Sequence, residues 1–406
     1  MNRVRATMLI MTLATGALAA APAREGAYAT GRYRNLFQEL LGRTDAEVDA
    51  KVQAAWRQLF YGRDDTERIY FPVGPDQAYV ADIGSGDVRT EGMSYGMMIA
   101  VQLDKRAEFD RLWRWARVHM YHANGPRQGY FAWQCTFDGR QLDPGSASDG
   151  EEWFAMALFF AAHRWGRGEG MLDYGAEAQA LLQTMLHAGD RHRGSVTSLF
   201  DAIHQQVVFA PTPEASTFTD PSYHLPAFYE LWARWAKEDR AFWSEAAAAS
   251  RVLLRQAAHP RTGLMPEHTG FDGTPRRGRG REDFRFDAWR TLANVGLDYA
   301  WFAADPWEVE QSNRVLTFLA AQGPACANQF TLDGKPLSSD TSPGLFAMAA
   351  VAGLAANPEL ARPFVQRLWD TPIPTGQWRY YDGLLYFIGL LEASGRFQIH
   401  RVPANP

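Results

Sequence analysis

Apolar residues recur with a helical period of three to four positions along almost the whole chain. Twelve such segments can be counted, and they alternate between two kinds. Amphipathic, charged segments suit half-exposed helices, and they cover residues 45–60, 108–120, 176–188, 238–258, 307–321 and 358–369. The other segments are apolar on nearly every side and rich in Ala and Gly, and they cover residues 94–103, 151–165, 223–236, 287–302, 344–356 and 381–393.

A helix that is apolar all round must be surrounded by protein, and small residues let such helices approach one another closely. Six buried helices that alternate with six half-exposed ones predict two concentric rings, which is an all-α (α/α)6 barrel. Short connections make neighbouring helices antiparallel, so the six inner helices run in one direction and their N-termini meet at one end. Strand signals are scarce and no linker divides the chain, so we expect a single domain over residues 22–406.

Polar and aromatic residues stand at the start of every inner segment. They are Glu91, Asp149, Tyr223, Asp287 with Arg290, the run SSDTSPG at 338–344, and Trp378, Tyr380 and Tyr381. For one helix alone, an acid at this place is explained by N-capping or by the helix dipole. For six helices together, with aromatic side chains among the acids, a cleft at the end of the barrel explains the pattern better.

Composition and charge narrow the class of protein. The net charge is −5, and only the short run PRRGRGR at 275–281 is strongly basic, so nucleic acid is an unsuitable partner. We expect that run to be a solvated loop. No metal-ligand cluster and no phosphate-binding loop occurs, so we expect neither a metal nor a cofactor. The two cysteines, Cys135 and Cys326, are too far apart in sequence to indicate whether they pair.

The first residues have the pattern of an export signal. Arg3 and Arg5 precede the apolar stretch MLIMTLATGALAAA, which ends in small residues suited to cleavage after Ala19 or Ala21. We therefore expect residues 1–21 to be a signal peptide and the mature protein to be periplasmic or secreted. No other segment predicts a membrane span, so no membrane association is expected, and we expect a monomer.

Carboxylates beside aromatic surfaces indicate glycoside hydrolysis. This reaction needs one protonated acid to donate to the leaving oxygen and one ionised carboxylate. Glu91 suits the acid, because apolar residues flank it; the helix N-terminus would lower its pKa, and a neighbouring carboxylate such as Asp149 could offset that effect. Asp287 lies two inner helices beyond Asp149, which places it across the cleft from Glu91. Such a separation leaves room for a water molecule and suits the base of an inverting mechanism.

Several longer motifs carry a resemblance to a known family. The chain resembles glycoside hydrolase family 8, and within it the reducing-end xylose-releasing exo-oligoxylanases, in the segments TEGMSYGM, GYFAWQC, DGEEWFA, DPSYHLP, DAWR and RYYDG. The resemblance extends through nearly all of the mature chain, so residues 22–406 would form one catalytic domain. It implies a barrel that hydrolyses β-1,4-linked xylo-oligosaccharides or xylan with inversion and releases xylose from the reducing end.

The same resemblance implies roles for individual residues. It places the general acid at Glu91, the base at Asp287, and a third carboxylate, which holds and distorts the sugar, at Asp149. Trp133 matches a stacking aromatic residue, and Arg290 matches the arginine three residues after the base. The full set of expected substrate-binding residues is Arg89, Tyr95, Trp133, Tyr223, Arg290 and Tyr381.

Simpler explanations stay open for some of these residues. Trp133 could be a core aromatic residue, and Tyr95 is as easily explained by packing as by substrate contact. Arg290 could be a surface ion-pair partner, although orientation of Asp287 is the favoured explanation.

One loop departs from the pattern of the exo-acting branch. Those relatives carry a Leu-His-Pro segment before the tenth of the twelve helices, where it closes the cleft beyond the first aglycone sugar. Here the loop DGKPLSSDTSPGL at 333–345 keeps Pro343 but has no His, and it is shorter. Three alternatives therefore remain: an endo-β-1,4-xylanase with an open aglycone cleft, an enzyme of the same family acting on another β-1,4-glycan, and a non-catalytic sugar-binding barrel.

Overall fold

The computed structural model describes residues 25–191 and 194–401. All twelve predicted helices are present, and two short helices, α1 (Ala27–Thr30) and α2 (Leu36–Leu41), precede them. The predicted signal peptide and Ala19 and Ala21, its candidate cleavage positions, lie outside the described residues.

Six helices form the inner ring and are buried along most of their length. They are α4 (Thr90–Gln102), α6 (Ser148–Trp165), α8 (Pro226–Trp235), α10 (Arg290–Phe302), α12 (Pro343–Ala352) and α14 (Arg379–Ala393). The outer helices bury one face each. They are α3 (Asp45–Tyr61), α5 (Arg106–Trp115), α7 (Tyr174–Arg191), α9 (Arg240–Ala257), α11 (Trp307–Ala321) and α13 (Pro358–Asp370).

The inner helices close into a ring. Helix α4 packs against α6, α8 against α10, α10 against α12, α12 against α14, and α14 returns to α4. Between α6 and α8, the ring of Trp153 contacts the ring of Phe228 with their centroids 5.1 Å apart. The close approach of α12 and α14 depends on Gly389, because a Cβ there would lie 2.9 Å from the Cβ of Ala347. The fold is the predicted (α/α)6 barrel.

Five outer helices each pack against the inner helix that precedes them in sequence; they are α5, α7, α9, α11 and α13. The remaining outer helix, α3, packs against α14. This alternation explains the two kinds of hydrophobic pattern, since an inner helix has protein on every side and an outer helix on one. Helix α5 continues into a π-helical turn at Ala116–Met120, which completes the predicted segment 108–120.

The structure also contains strands that the sequence pattern did not indicate. An antiparallel sheet has the order β1 (Tyr70–Val73), β2 (Gln77–Asp82), β3 (Asp87–Arg89), β4 (Gln134–Cys135) and β5 (Gln141–Asp143). A second pair, β6 (Phe200–Asp201) and β7 (Gln206–Val207), forms a small hairpin. The large sheet positions the cleft, because β3 leads directly into α4 and the N–H of Thr90 donates to the carbonyl of Trp133 at 3.0 Å.

Two further observations concern the described part of the chain. Cys135 and Cys326 are both buried free thiols and do not pair with each other. Between residues 25 and 401, apart from 192 and 193, no helix is both long enough and apolar enough to cross a bilayer.

Candidate active site

Arg290 lies at the centre of the site, in the first turn of α10. Its Nη1 donates to Glu91 Oε2 at 3.1 Å and to Asp149 Oδ2 at 2.9 Å. Its Nη2 donates to the hydroxyl of Ser222 at 3.0 Å and lies 3.4 Å from Asp287 Oδ1. One buried guanidinium therefore joins the N-terminal ends of α4, α6 and α10 with the turn that precedes α8, which confirms that these helix ends meet. Arg290 is not a surface ion-pair partner.

Glu91 lies in the first turn of α4 and reaches the cleft, with 16% of its side chain exposed. Its Oε1 accepts a hydrogen bond from the hydroxyl of Tyr380 at 3.0 Å. The pKa of Glu91 is raised to about 7, chiefly by burial; Arg290 opposes this rise, while the charges of Asp149 and Asp287 add to it. A carboxyl with such a pKa is protonated in part of its population at neutral pH, as a general acid requires.

The ring of Tyr380 lies directly against the start of α4. A Cβ at Gly92 would lie 2.4 Å from the edge of that ring, so only glycine at this position allows the ring of Tyr380 to lie so close to the start of α4. Tyr380 is buried, and its contact with Glu91 depends on this close approach.

Asp287 lies in a 3₁₀ turn, Phe286–Trp289, immediately before α10. Its side chain is the most open of the three carboxylates, with 27% exposed. The hydroxyl of Tyr381 donates to the carbonyl of Phe286 at 3.1 Å and lies 3.5 Å from Asp287 Oδ1. Arg290 and Tyr381 thus hold Asp287 from two sides and leave part of the carboxylate open to the cleft.

Asp149 lies deeper than the other two carboxylates, with 7% of its side chain exposed. It occupies the first turn of α6, where Oδ1 accepts the N–H of Gly150 at 2.9 Å. Burial raises the pKa of Asp149, and Arg290 opposes the rise. Asp149 is therefore largely shielded from solvent and is held by the start of α6 and by Arg290.

Two predicted tyrosines surround Arg290. The hydroxyl of Tyr95 accepts a hydrogen bond from Nη1 of Arg290 at 2.9 Å, and its ring meets Trp153 edge-on. The guanidinium lies 5.4 Å from the ring centroid of Tyr223, which stacks on Phe209. Both tyrosines are buried, so Tyr95 combines packing with contact to the charged centre.

Arg89 and Trp133 lie beside this centre. Asp87 and Asp82 fix the guanidinium of Arg89, at 3.0 Å and 3.2 Å from their carboxylates. Arg89 in turn lies 5.6 Å from the ring centroid of Trp133, which is half-buried. Trp133 therefore is not a fully buried core residue.

A cavity of about 930 Å³ opens in front of Glu91 and Asp287. Arg89 and Tyr381 line it, as predicted for the cleft. Its further lining residues are Asp82, Ser85, Phe286, Trp289, Asn328, Gln329, Ser339, Asp340, Thr341, Ser342, Trp378, Tyr380 and Asp382. Among these, Tyr380 contacts Glu91; the sequence places it at the start of the last inner segment, inside RYYDG, but it is not in the expected substrate-binding set.

The shortened loop forms one side of this cavity. Ser339, Asp340 and Thr341 are exposed and line it, while Ser342 is buried as the N-cap of α12. The hydroxyl of Ser342 donates to Asp382 in the first turn of α14. Ser342 is therefore occupied by protein contacts, whereas Asp340 is free to face the cleft.

Residues 79–395 match the sequence pattern of the family described as Glycosyl hydrolases family 8. The chain belongs to this family. A curated relative, the reducing-end xylose-releasing exo-oligoxylanase Rex8A of Paenibacillus barcinonensis, is 48% identical over 93% of this chain and 99% of its own. The reducing end xylose-releasing exo-oligoxylanase of Halalkalibacterium halodurans is 45% identical over 92% and 96% of the two chains. The protein is accordingly a glycoside hydrolase.

Solved structures agree with this assignment. The structure of Rex8A complexed with xylose has a TM-score of 0.89 and 47% identity, and covers 93% of this chain and 100% of that chain. A family 8 xylanase from Teredinibacter turnerae, solved as a catalytic mutant with xylohexaose, has a TM-score of 0.89 and 44% identity with the same coverage. The chain is thus similar both to enzymes named for exo action and to one named simply a xylanase.

Proposed function

We propose that the protein is an inverting hydrolase of β-1,4-xylosidic bonds that releases xylose from the reducing end of xylo-oligosaccharides. The observation that carries the proposal is the contact of one guanidinium with Glu91, Asp149 and Asp287 at the floor of an open cleft. The names of the two curated relatives support the substrate and the end preference.

In this proposal Glu91 is the general acid. Its proton passes to the glycosidic oxygen as the bond from the anomeric carbon to that oxygen breaks. The raised pKa of Glu91 supplies the protonated form near neutral pH, and the hydrogen bond from Tyr380 stabilises the carboxylate that remains.

Asp287 is the proposed base. A water molecule between Asp287 and the sugar attacks the anomeric carbon from the face opposite the leaving group, and its proton passes to Asp287. The new bond from carbon to oxygen forms on that opposite face, so the configuration inverts. Tyr381 and Arg290 keep the carboxylate aimed while leaving it open to the cleft.

Asp149 is proposed to hold and distort the sugar at the cleavage point, since it is too buried to activate a free water. Arg290 orients the three carboxylates, and Tyr95 and Tyr223 contact its guanidinium and help to hold it in place. Trp133 offers a flat apolar face on which a xylose ring can stack, and Arg89, held by two aspartates, lines the cleft beside it.

Proton NMR of freshly formed products tests the proposal. From a β-linked xylotriose, the α-anomer should be formed first, and a label at the reducing end should be released as xylose. Asp287→Asn should remove this activity while the protein remains folded. Initial formation of the β-anomer would contradict the role given to Asp287.

A second candidate function is an endo-β-1,4-xylanase with an open aglycone cleft. The loop at 333–345 favours it, because it lacks His and its residues Ser339–Thr341 line the cavity from an exposed position. The similarity to the Teredinibacter turnerae xylanase is nearly as high as that to Rex8A, which supports this candidate as well.

The same assay, carried out on other substrates, distinguishes two other candidate functions. Faster hydrolysis of a β-1,4-glucan or chitosan than of xylo-oligosaccharides would indicate another β-1,4-glycan as substrate. Binding of xylohexaose without turnover would indicate a sugar-binding barrel. The contact of all three carboxylates with Arg290 argues against the latter, since binding alone does not require it.

We also propose export of the protein and a monomeric mature form. The support for export is the apolar stretch that follows Arg3 and Arg5. N-terminal sequencing of protein recovered from the periplasm or the medium should begin close to Ala20 or Pro22. Light scattering of that material should give the mass of one chain.

A further inference from the structure

Phe286, the residue directly before the proposed base, has a strained backbone. Its φ is +26°, and within residues 25–191 and 194–401 five other non-glycine residues have a positive φ. Those five lie between +48° and +59°, close to the left-handed region that L-residues can occupy at about +50° to +70°. Phe286 lies outside that region and carries a bulky ring, so its conformation is costly and must be imposed by its surroundings.

The chain is fixed on both sides of Phe286. Upstream, the buried Phe284 exchanges two backbone hydrogen bonds with Phe330, at 2.9 and 3.0 Å. Downstream, the indole N–H of the buried Trp289 donates to the carbonyl of Asn328 at 2.9 Å. Both partners belong to the stretch between α11 and α12, so one short segment holds the two ends of the turn. These fixed ends leave Phe286 little freedom to relax towards a negative φ.

A third contact acts on the strained residue itself. The hydroxyl of Tyr381 donates to the carbonyl of Phe286 at 3.1 Å and lies 3.5 Å from Asp287 Oδ1. The ring centroid of Tyr381 lies 5.8 Å from that of Trp289, which is itself fixed. The tyrosine thus contacts the carbonyl of the peptide unit that joins Phe286 to the base, and the base carboxylate as well.

The direction of the Asp287 side chain depends on that peptide unit. Since the chain is fixed on both sides, relaxation of φ at Phe286 would have to turn the peptide unit between Phe286 and Asp287. This turn would carry the carbonyl of Phe286 away from the Tyr381 hydroxyl. It would also change the direction in which the Cβ of Asp287 leaves the backbone, and with it the position of the carboxylate in the cleft.

We propose that Phe286 is a positioning residue whose strained backbone directs the Asp287 carboxylate into the cleft, and that the Tyr381 hydroxyl keeps Phe286 in this conformation. The inference rests on the proposed role of Asp287 as the base. It concerns the backbone of Phe286 and not its ring, which is 39% exposed and lines the cavity.

A double-mutant cycle between Tyr381 and Phe286 tests the inference. Tyr381→Phe removes the hydroxyl, so the strain can relax and kcat on xylotriose should fall by roughly tenfold. Glycine adopts a positive φ without strain, so in a Phe286→Gly background the same change should lower kcat by less than about threefold. If the hydroxyl acted only through direct contact with Asp287 or with the sugar, kcat would fall by the same factor in both backgrounds.

Phe286→Ala is the matched control, because it loses the ring, as Phe286→Gly does, but keeps the strain. Tyr381→Phe should therefore lower kcat as much in this background as in the unaltered protein. Urea unfolding should show that Phe286→Gly is more stable than Phe286→Ala, because a Cβ is unfavourable at this φ. Ala303→Gly relieves a φ of +48° at the other end of α10 and should not change the effect of Tyr381→Phe.

If Phe286→Gly does not fold, Phe286→Asn takes its place, since asparagine tolerates left-handed backbone better than most residues do. Equal effects of Tyr381→Phe on kcat in the strained and relieved backgrounds would overturn the inference, and so would a Phe286→Gly protein no more stable than Phe286→Ala. Asp287→Asn separates the two proposals: an active Asp287→Asn protein refutes the base itself, whereas an inactive one with equal effects of Tyr381→Phe refutes only the role of Phe286.

Discussion

At the scale of single residues, the site depends on one arginine that serves three acids. Glu91 lies 199 positions and Asp149 lies 141 positions from Arg290 in sequence, yet both accept hydrogen bonds from the same nitrogen. Through its two Nη atoms the guanidinium contacts five side chains, Glu91, Tyr95, Asp149, Ser222 and Asp287, whereas a lysine ammonium has only three N–H donors and no fixed plane. Arg290 neutralises part of the charge while leaving Glu91 and Asp287 open to the cleft.

Replacement of Glu91 tests its proposed role as the general acid. Glu91→Gln keeps the size of the side chain and an acceptor for Tyr380, but it has no proton to donate to the leaving oxygen. The rate on unactivated xylo-oligosaccharides should fall by on the order of 10²-fold or more. Circular dichroism should show an unchanged fold, and near-normal turnover by the folded variant would end the assignment.

The alkaline side of the pH profile should report Glu91, because activity requires its protonated form and its pKa is about 7. Tyr380 donates to the Glu91 carboxylate and so lowers that pKa. Tyr380→Phe removes the hydroxyl but keeps the ring, so the pKa of Glu91 should rise and the alkaline limb should move to higher pH. A limb that moves to lower pH in the kcat/KM profile would show that Tyr380 does not stabilise the carboxylate.

At the scale of secondary-structure elements, the hydrophobic pattern of the sequence predicts the helices but not the strands. A 3.6-residue period persists over ten or more positions in each barrel helix, so all twelve could be located. Strands β3, β4 and β5 have only two or three residues each and alternate with turns, so no period can be recognised. Yet it is this sheet that brings Trp133 alongside the start of α4.

The residues of the site could likewise be predicted only in part from the sequence. Acids at helix starts could be read from their positions, because the barrel gathers the N-termini of its inner helices. Tyr380 could be placed at the start of an inner helix but could not be assigned a partner, since the sequence does not show the close approach at Gly92 that brings this tyrosine to Glu91. Arg281 was assigned to a solvated loop because nothing in PRRGRGR indicates that this arginine contacts the buried acid Glu267.

The start of α12 offers a prediction at this scale. The Ser342 hydroxyl accepts the N–H of Leu345 at 3.3 Å and donates to Asp382, so one side chain caps α12 and joins it to α14. Ser342→Ala should lower the free energy of unfolding by about 1 kcal/mol, the usual cost of a lost N-cap. Urea unfolding would measure it, with Ser339→Ala, at an exposed position of the same loop, as the control that should leave stability unchanged.

At the scale of the whole molecule, the barrel positions the three carboxylates, and we propose that one loop sets the chain length that the cleft accepts. The N-terminal ends of α4, α6 and α10 hold the three carboxylates on helices of the buried inner ring, which are better suited than loops to keep them in position. In the segment 333–342, between α11 and α12, Ser339–Thr341 line the cleft from an exposed position. The acid and the base lie on the inner ring and not on this loop, so a change in the loop can leave them in place.

We expect reducing-end release of xylose as the main activity, accompanied by measurable cleavage at internal linkages of xylohexaose. A longer aglycone is excluded only if something fills its space or if its binding leaves a polar group unpaired. The loop here has no His, Ser342 is engaged with Asp382, and Asp340 is the charged side chain among the exposed loop residues that can contact a terminal sugar. End-labelled xylohexaose, sampled early in the reaction, would show both kinds of product. Insertion of a Leu-His-Pro segment between Ser339 and Ser342 should suppress the internal products and retain xylose release. If the unaltered protein forms xylose as the sole small product at every early time point and from every chain length, the residues Ser339–Ser342 already close the cleft.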